Sequence, residues 1–380
     1  MKIKIFLSVM KQRYVMFAII FSILATMPVW GQTEVIKREP AKDSRKPTNR
    51  VGMKCYFIKS FSEGLAKIEI NRKAGFTGRN GNIVIPCKWR EAESFHEGLA
   101  WVQNDEYKWG AIDQTGNIVI PCQWRGVYSF HEGLAWVEDD DFRKSFIDKT
   151  GKEVISCEKY VNYGYYFSEG LVPIQKNGRI GYVDKTGELV IPFKWKGAND
   201  YDSGFLASCS FSEGMAKVMN DEGSYGFIDK TGAVVIPCKW EYAGMFSEGM
   251  TLVKDESGKY GYIDKKGEMV IPCRWAGASP FAEGLAWVED ENGKDVVIDK
   301  SGNVVVLCKW RTASITPRFH DGLARVRDNK NGQYGFIDKC GNVRIPFKWE
   351  YAEDFSEGLA WVRDSRDQYH IINMQGQILK

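Results

Sequence analysis

The 380-residue chain has only four histidines, no Cys-x-x-Cys pair, no Asp-rich calcium loop, no Gly-x-Ser-x-Gly elbow and no glycine-rich loop between a strand and a helix. Those absences remove the usual frameworks for zinc, redox, calcium, acyl-transfer and nucleotide chemistry. A charge block is missing as well. Four of the 52 basic residues (Lys2, Lys4, Lys11, Arg13) lie in the first 31 positions, which hold no acid. The remaining 48 face 49 acids, interleaved along the chain. A phosphate footprint needs clustered cations, so nucleic acid is not expected as a partner. No segment sustains a 3.6-residue apolar period with caps, so helices should be scarce.

What is present begins with an export signal. A basic stretch ending at Arg13 precedes an apolar run from Val15 to Met27, and small residues follow up to Gly31. This pattern predicts a secretory signal peptide over 1–31, cleaved near Gly31, and places the mature protein in the periplasm or on the cell surface, with no membrane span left after cleavage. Residues 32–54 are polar and charged and are expected to form a flexible linker.

From 55 to 380 the sequence is a tandem array. A turn glycine recurs at Gly81, Gly116, Gly151, Gly187, Gly232, Gly267, Gly302, Gly341 and Gly376, mostly 35 or 36 residues apart. A Phe-x-Glu-Gly element keeps step with it from Phe61 to Phe355, with Asp321 in place of one Glu. Regular recurrence at such a period signals stacked copies of one supersecondary unit. Each unit reads as three short strands, for example Gly226–Asp229, Val234–Ile236 and Met250–Lys254. The first two are joined by Asp229-Lys230-Thr231-Gly232, whose Asp suits a type I turn and whose Gly supplies a left-handed residue. The first unit lacks its opening hairpin, the last stops after its own, and about ten extra residues fall between Trp195 and Phe211.

The unit resembles the bacterial WG-repeat family. Trp109-Gly110, or Tyr-Gly at Tyr225, Tyr260 and Tyr334, runs on into Ile-Asp-Lys-x-Gly, Val-Ile-Pro and Phe-Ser-Glu-Gly-Leu-Ala. The resemblance implies a β-rich repeat and brings no agreed catalytic residues. The expected fold is all-β: repeats of about 35 residues, three strands each, stacked as an open solenoid or superhelix. A closed propeller-like ring is the alternative, its two truncated ends completing one shared unit.

Cys87, Cys122, Cys157, Cys238, Cys273 and Cys308 occupy one equivalent site, held by Phe193 and Phe347 in two other units. A site that takes Cys or Phe reads as apolar core with free thiols. His96 and His131 precede a Glu, but alanine stands where a second zinc-binding His would be, so no metal site is expected. The Phe-x-Glu-Gly carboxylates recur too often to be catalytic and read as turn or backbone acceptors. Trp89, Trp124, Trp195, Trp240, Trp275, Trp310 and Trp349 recur at a fixed site and suggest packing between units.

The third strand alternates cleanly. Its second and fourth positions are small and apolar (Ala100 and Val102, Ala360 and Val362) and should face the core. The position between them varies: Lys67, Trp101, Trp136, Lys217, Trp287, Arg325 and Trp361 all stand there. Because it accepts Lys and Arg, it is expected to be partly exposed. Trp101, Trp136, Trp287 and Trp361 are therefore the candidate ligand-binding residues, able to stack on sugars or anchor a protein. The reading that follows is a non-enzymatic, cofactor-free scaffold for a protein partner in the cell envelope. Glycan or peptidoglycan binding through those tryptophans is the alternative, and a hydrolase site in the 196–210 insertion is a remote one.

Overall fold

A computed structural model describes residues 55–159, 162–196, 209–312 and 318–379. The expected signal, the linker and most of the 196–210 insertion lie outside them. The described residues are β-rich, with one short 3-10 turn at Cys157–Lys159.

Each repeat is an antiparallel sheet whose strands neighbour one another in chain order. In repeat 6 a two-residue strand, Tyr242–Ala243, pairs with Met250–Lys254, which pairs with Tyr260–Asp264, which pairs with Met269–Trp275. Most repeats therefore hold four strands rather than three. The extra one is too short to show any alternation in sequence. Eight sheets carry nine repeats, because one seven-stranded sheet runs through repeats 4 and 5 at the single pair Lys196↔Met219.

Two glycines shape most of the hairpins. At the Asp229 turn, the carboxylate accepts the Thr231 and Ala233 N–H groups at 2.9 and 3.1 Å, and Gly232 takes φ +84°. The glycine of the Tyr-Gly pair has a different reason. The last strand bulges over it so closely that a Cβ on Gly261 would lie 2.5 Å from the Ile271 carbonyl oxygen and 2.9 Å from Cys273 Sγ. Where Ser145 and Val296 replace this glycine, the last strand ends early, at Ser156 and Leu307.

The core lies between sheets, not within one. Leu99, Trp101, Ala111 and Ile120 of repeat 2 pack on Phe130, Ala135, Val137 and Ile147 of repeat 3. Ala100 and Val102, on the opposite face of the same strand, pack on Phe76 and Trp89 of repeat 1. Every inner strand is thus buried on both faces. The fixed-site tryptophans do pack between units: Trp275 joins Tyr262 of its own repeat to Phe281, Ala286 and Val288 of the next.

The same packing closes the array. Phe61, Ala66 and Ile68 of repeat 1 pack on Leu359, Trp361 and Ile371 of repeat 9, and Phe61 stacks on Trp361 at 6.1 Å. The open solenoid is therefore corrected to the alternative, a closed β-propeller ring. Closure does not complete one sheet from the two chain ends. Two separate sheets, Cys55–Ile58 through Ile83–Trp89 and Tyr351–Ala352 through Tyr369–Asn373, meet face to face.

Candidate functional site

Ring closure decides where the sequence candidates go. Trp101, Trp136, Trp287 and Trp361 are not exposed; they retain 2, 7, 4 and 2% of their accessible surface. Each is wedged between its own repeat and the next, as in Trp101 stacked on Phe130 at 5.5 Å with its indole N–H on the Tyr128 carbonyl. The same slot tolerates cations because a long side chain can reach a partner from inside it. Lys67, 4% exposed, pairs with Glu91, and Lys217, 2% exposed, lies 5.2 Å from the Tyr225 and Tyr242 rings. Accepting Lys therefore signalled a snorkelling slot and not a solvent-facing position. These tryptophans hold the ring together and offer no face to a ligand.

The equivalent cysteines are also placed more finely. Cys157 and Cys308 are buried, whereas Cys87, Cys122, Cys238 and Cys273 are half-buried over the close-packed glycine of the neighbouring strand. All are free thiols, and burial raises those of Cys157 and Cys308 to about 12.

The last strand of each sheet forms the outer rim. Its first residues are exposed aliphatics such as Ile118 and Val119, Val234 and Val235, Met269 and Val270. Prolines at 86, 121, 192, 237, 272 and 346 and lysines at 88, 194, 239 and 348 sit exposed on this edge. Proline and lysine there block addition of a foreign strand. The short first strands lie at the opposite edge of each sheet.

One face of the ring carries the Phe-x-Glu-Gly loops. Ser247 and Met250 exchange backbone hydrogen bonds around Glu248 and Gly249, a two-residue turn with both central φ values positive, +55° and +84°. Left-handed Glu is strained, since Asn or Asp normally fills that slot. The strain is offset by what the carboxylate does. Glu248 accepts the Gly284 N–H of the next repeat at 2.9 Å and pairs with Lys300 of that repeat at 3.2 Å. The latch recurs around the whole ring: Glu63 to Gly98, Glu97 to Gly133, Glu132 to Gly170, Glu169 to Gly214, Glu213 to Gly249, Glu283 to Gly322, Asp321 to Gly358 and Glu357 back to Gly64. Arg79 supplies the cation at the closing junction, so the irregular Thr77-Gly78-Arg79 keeps the latch. Burial opposes ionisation of Glu97, Glu169 and Glu248, but the glycine N–H and lysine bonds outweigh it and hold them below the ordinary carboxylate range. These carboxylates are structural acceptors, as their repetition implied.

The repetition breaks in more than one place: Ala282 and His320 stand at one site in repeats 7 and 8, and a larger break falls in repeats 2 and 3. The residue after Phe is usually Ser, whose hydroxyl donates to the next repeat's Phe carbonyl, as Ser62 does to Phe95 at 2.7 Å and Ser212 to Phe246 at 2.8 Å. In repeats 2 and 3 it is His96 and His131, whose rings lie 5.8 Å apart, with Tyr166 another 4.8 Å from His131. Burial and the neighbouring His96 hold the His131 imidazole below its ordinary value. Two positions before Phe, repeats 9, 1, 2, 3 and 4 carry Glu353, Lys59, Glu93, Tyr128 and Tyr165, while repeats 5, 6 and 7 carry Cys209, Gly244 and Ser279. A cavity of about 290 Å³ opens here, lined by Lys59, Ser60, Phe61, Ser62, Ser94, His96 and Glu353. The sequence reading missed this sector because it treated deviations at the His site as mere tolerance. Comparing non-equivalent residues across units would have found it. No group of three metal-binding side chains converges among the described residues.

Comparison with known proteins agrees with the fold. The WG containing repeat family matches at residues 75–107, 109–141, 145–179, 180–207, 225–260, 260–294, 297–331 and 334–365. No curated protein shows significant sequence similarity to the chain. Among solved structures, a eukaryotic initiation factor is similar over 83% of this chain and 94% of its own, at 13% identity and a TM-score of 0.56. The computationally designed Ika8 protein (14% identity, 74% and 94% covered, TM-score 0.45) and BamB from Moraxella catarrhalis (10%, 84% and 98%, 0.41) are more distantly similar.

Proposed function

We propose, from the premise that this chain belongs to the WG-containing repeat family, that it is an exported, non-enzymatic scaffold that binds a protein partner in the cell envelope. The observation that carries the reading is the use made of the polar residues. Eight glutamates and one aspartate that could serve chemistry are consumed in links between repeats, which makes a rigid ring rather than a reactive cleft. A rigid ring displays many loops in fixed geometry at little entropic cost, which suits recognition. The loop face is the favoured surface, because the outer edge is guarded by proline and lysine and the Phe-x-Glu-Gly face holds the sector where the repeats diverge. The basic and apolar N-terminal segment supports export.

The test is site-specific photocrosslinking in envelope preparations of the source cell. A crosslinker at Ser94 or Tyr128 on the loop face should capture one discrete protein, and one at Glu256 on the opposite hairpins should not. Equal or absent capture from both faces would refute a loop-face partner, and so would recovery of the chain in the cytosol.

A further inference from the structure

The divergent sector has the chemistry of a saccharide site, and the geometry points to binding of a neutral hexose or N-acetylhexosamine unit in the cavity between repeats 9, 1 and 2, with the rest of the oligomer running over the rings of repeats 3 and 4. This goes beyond the protein-scaffold reading and stands or falls separately from it.

Three observations converge. First, the polar lining is charge-balanced. Lys59 pairs with Glu93 at 2.7 Å, and Glu353 accepts from the Tyr351 hydroxyl and lies 4.0 Å from Arg325. Of the lining residues, Glu353 would repel an anion and Lys59 a cation. A hydroxyl, which donates to a carboxylate while accepting from an ammonium or a serine, suits both. Second, rings lead away from the cavity lining, from His96 to His131 at 5.8 Å, and repeats 3 and 4 carry further flat rings. Tyr128 stacks on Tyr165 at 3.9 Å, and Trp136 meets both edge-on at 5.5 and 5.7 Å. Tyr128 remains 42% exposed, so its packed ring still presents surface. A fixed aromatic face takes the apolar C–H face of a sugar ring with little loss of rotamer freedom. Third, the sector gives up structural bonds. With His96 and His131 in place of serine, the hydroxyl link to the next repeat's Phe carbonyl is replaced by ring contacts. The cavity is at the small end of ligand pockets, fitting one ring at a time.

The experiment is saturation-transfer NMR and calorimetry on the exported-length chain, with free oligomers of neutral hexoses in one arm and of N-acetylhexosamines in the other. Both the double variant His96→Ser, His131→Ser and the single variant Tyr128→Ala are tested. Serine is what five other repeats carry at the histidine position, so the double variant retains the fold, which an unchanged melting curve verifies. We expect saturable binding in at least one arm, about tenfold weaker or lost in both variants, consistent with removal of one good contact. His320→Ser, outside the sector, should bind like the parent chain. The inference is overturned if neither arm shows binding, if the double variant binds like the parent, or if His320→Ser loses as much. Loop-face crosslinking of a protein partner would persist in any of these cases, which keeps the two readings separable.

Discussion

The carboxylate of Glu357 accepts the backbone N–H of Gly64 at 3.0 Å, joining residues 293 positions apart. This is the same contact that Glu213 makes with Gly249 only 36 residues away. The bond that closes the ring is chemically no different from those that build it.

Glu357→Ala and Glu213→Ala should therefore cost similar stability, about 1 kcal/mol each, since both carboxylates are close to one-third exposed and solvent screens part of the charge. They should differ in reach. Hydrogen exchange in Glu357→Ala should lose protection in both 61–70 and 359–372, whereas in Glu213→Ala the loss stays between repeats 5 and 6. Equal, purely local effects would mean the ring does not depend on this junction.

Two glycines of repeat 6 should respond differently to alanine. Gly249 has φ +84° and nothing near its missing Cβ, so Gly249→Ala meets only backbone strain, about 1 kcal/mol. At Gly261 a Cβ would strike backbone atoms at 2.5 and 2.7 Å that cannot rotate away, and about 3 kcal/mol is expected. Urea denaturation of both variants measures the order, and the reverse order would contradict the bulge geometry.

Trp361→Ala removes a side chain wedged at the closing interface and should destabilise by about 3–5 kcal/mol, as large-to-small changes in well-packed cores do. Trp101→Ala should behave alike and also strand the Tyr128 carbonyl. Thermal melts that barely move would restore the surface reading of these residues.

Acid should loosen the ring. Glu97, Glu169 and Glu248 titrate below their unfolded value, so their contribution is fully present above about pH 4.3 and is lost as pH falls through the depressed folded values. Melting temperature should fall below that point. The triple variant Glu97→Gln, Glu169→Gln, Glu248→Gln should start lower at pH 7 and fall less steeply. A parallel decline in both proteins would assign the acid sensitivity elsewhere.

Much of the repeat was readable from residues alone. The turn aspartates and glycines recur because their local backbone needs them, and the alternation of Leu359-Ala360-Trp361-Val362 reports a strand directly. The latch acceptors were readable as non-catalytic from their number. Lys59, His96 and Glu353 stayed hidden as a group, since they come from different repeats and only the ring brings them together.

Period, all-β character, turn chemistry and family thus follow from the sequence, because each depends on contacts within one unit. Closure, the burial of Trp101 and Trp361, and the divergent sector required the tertiary structure. A stack becomes a ring through a small rotation repeated at every interface, and that rotation is set by how side chains from neighbouring sheets wedge together. A strand's alternation shows that it has two faces, but whether solvent or another sheet covers the second face is decided by the neighbour.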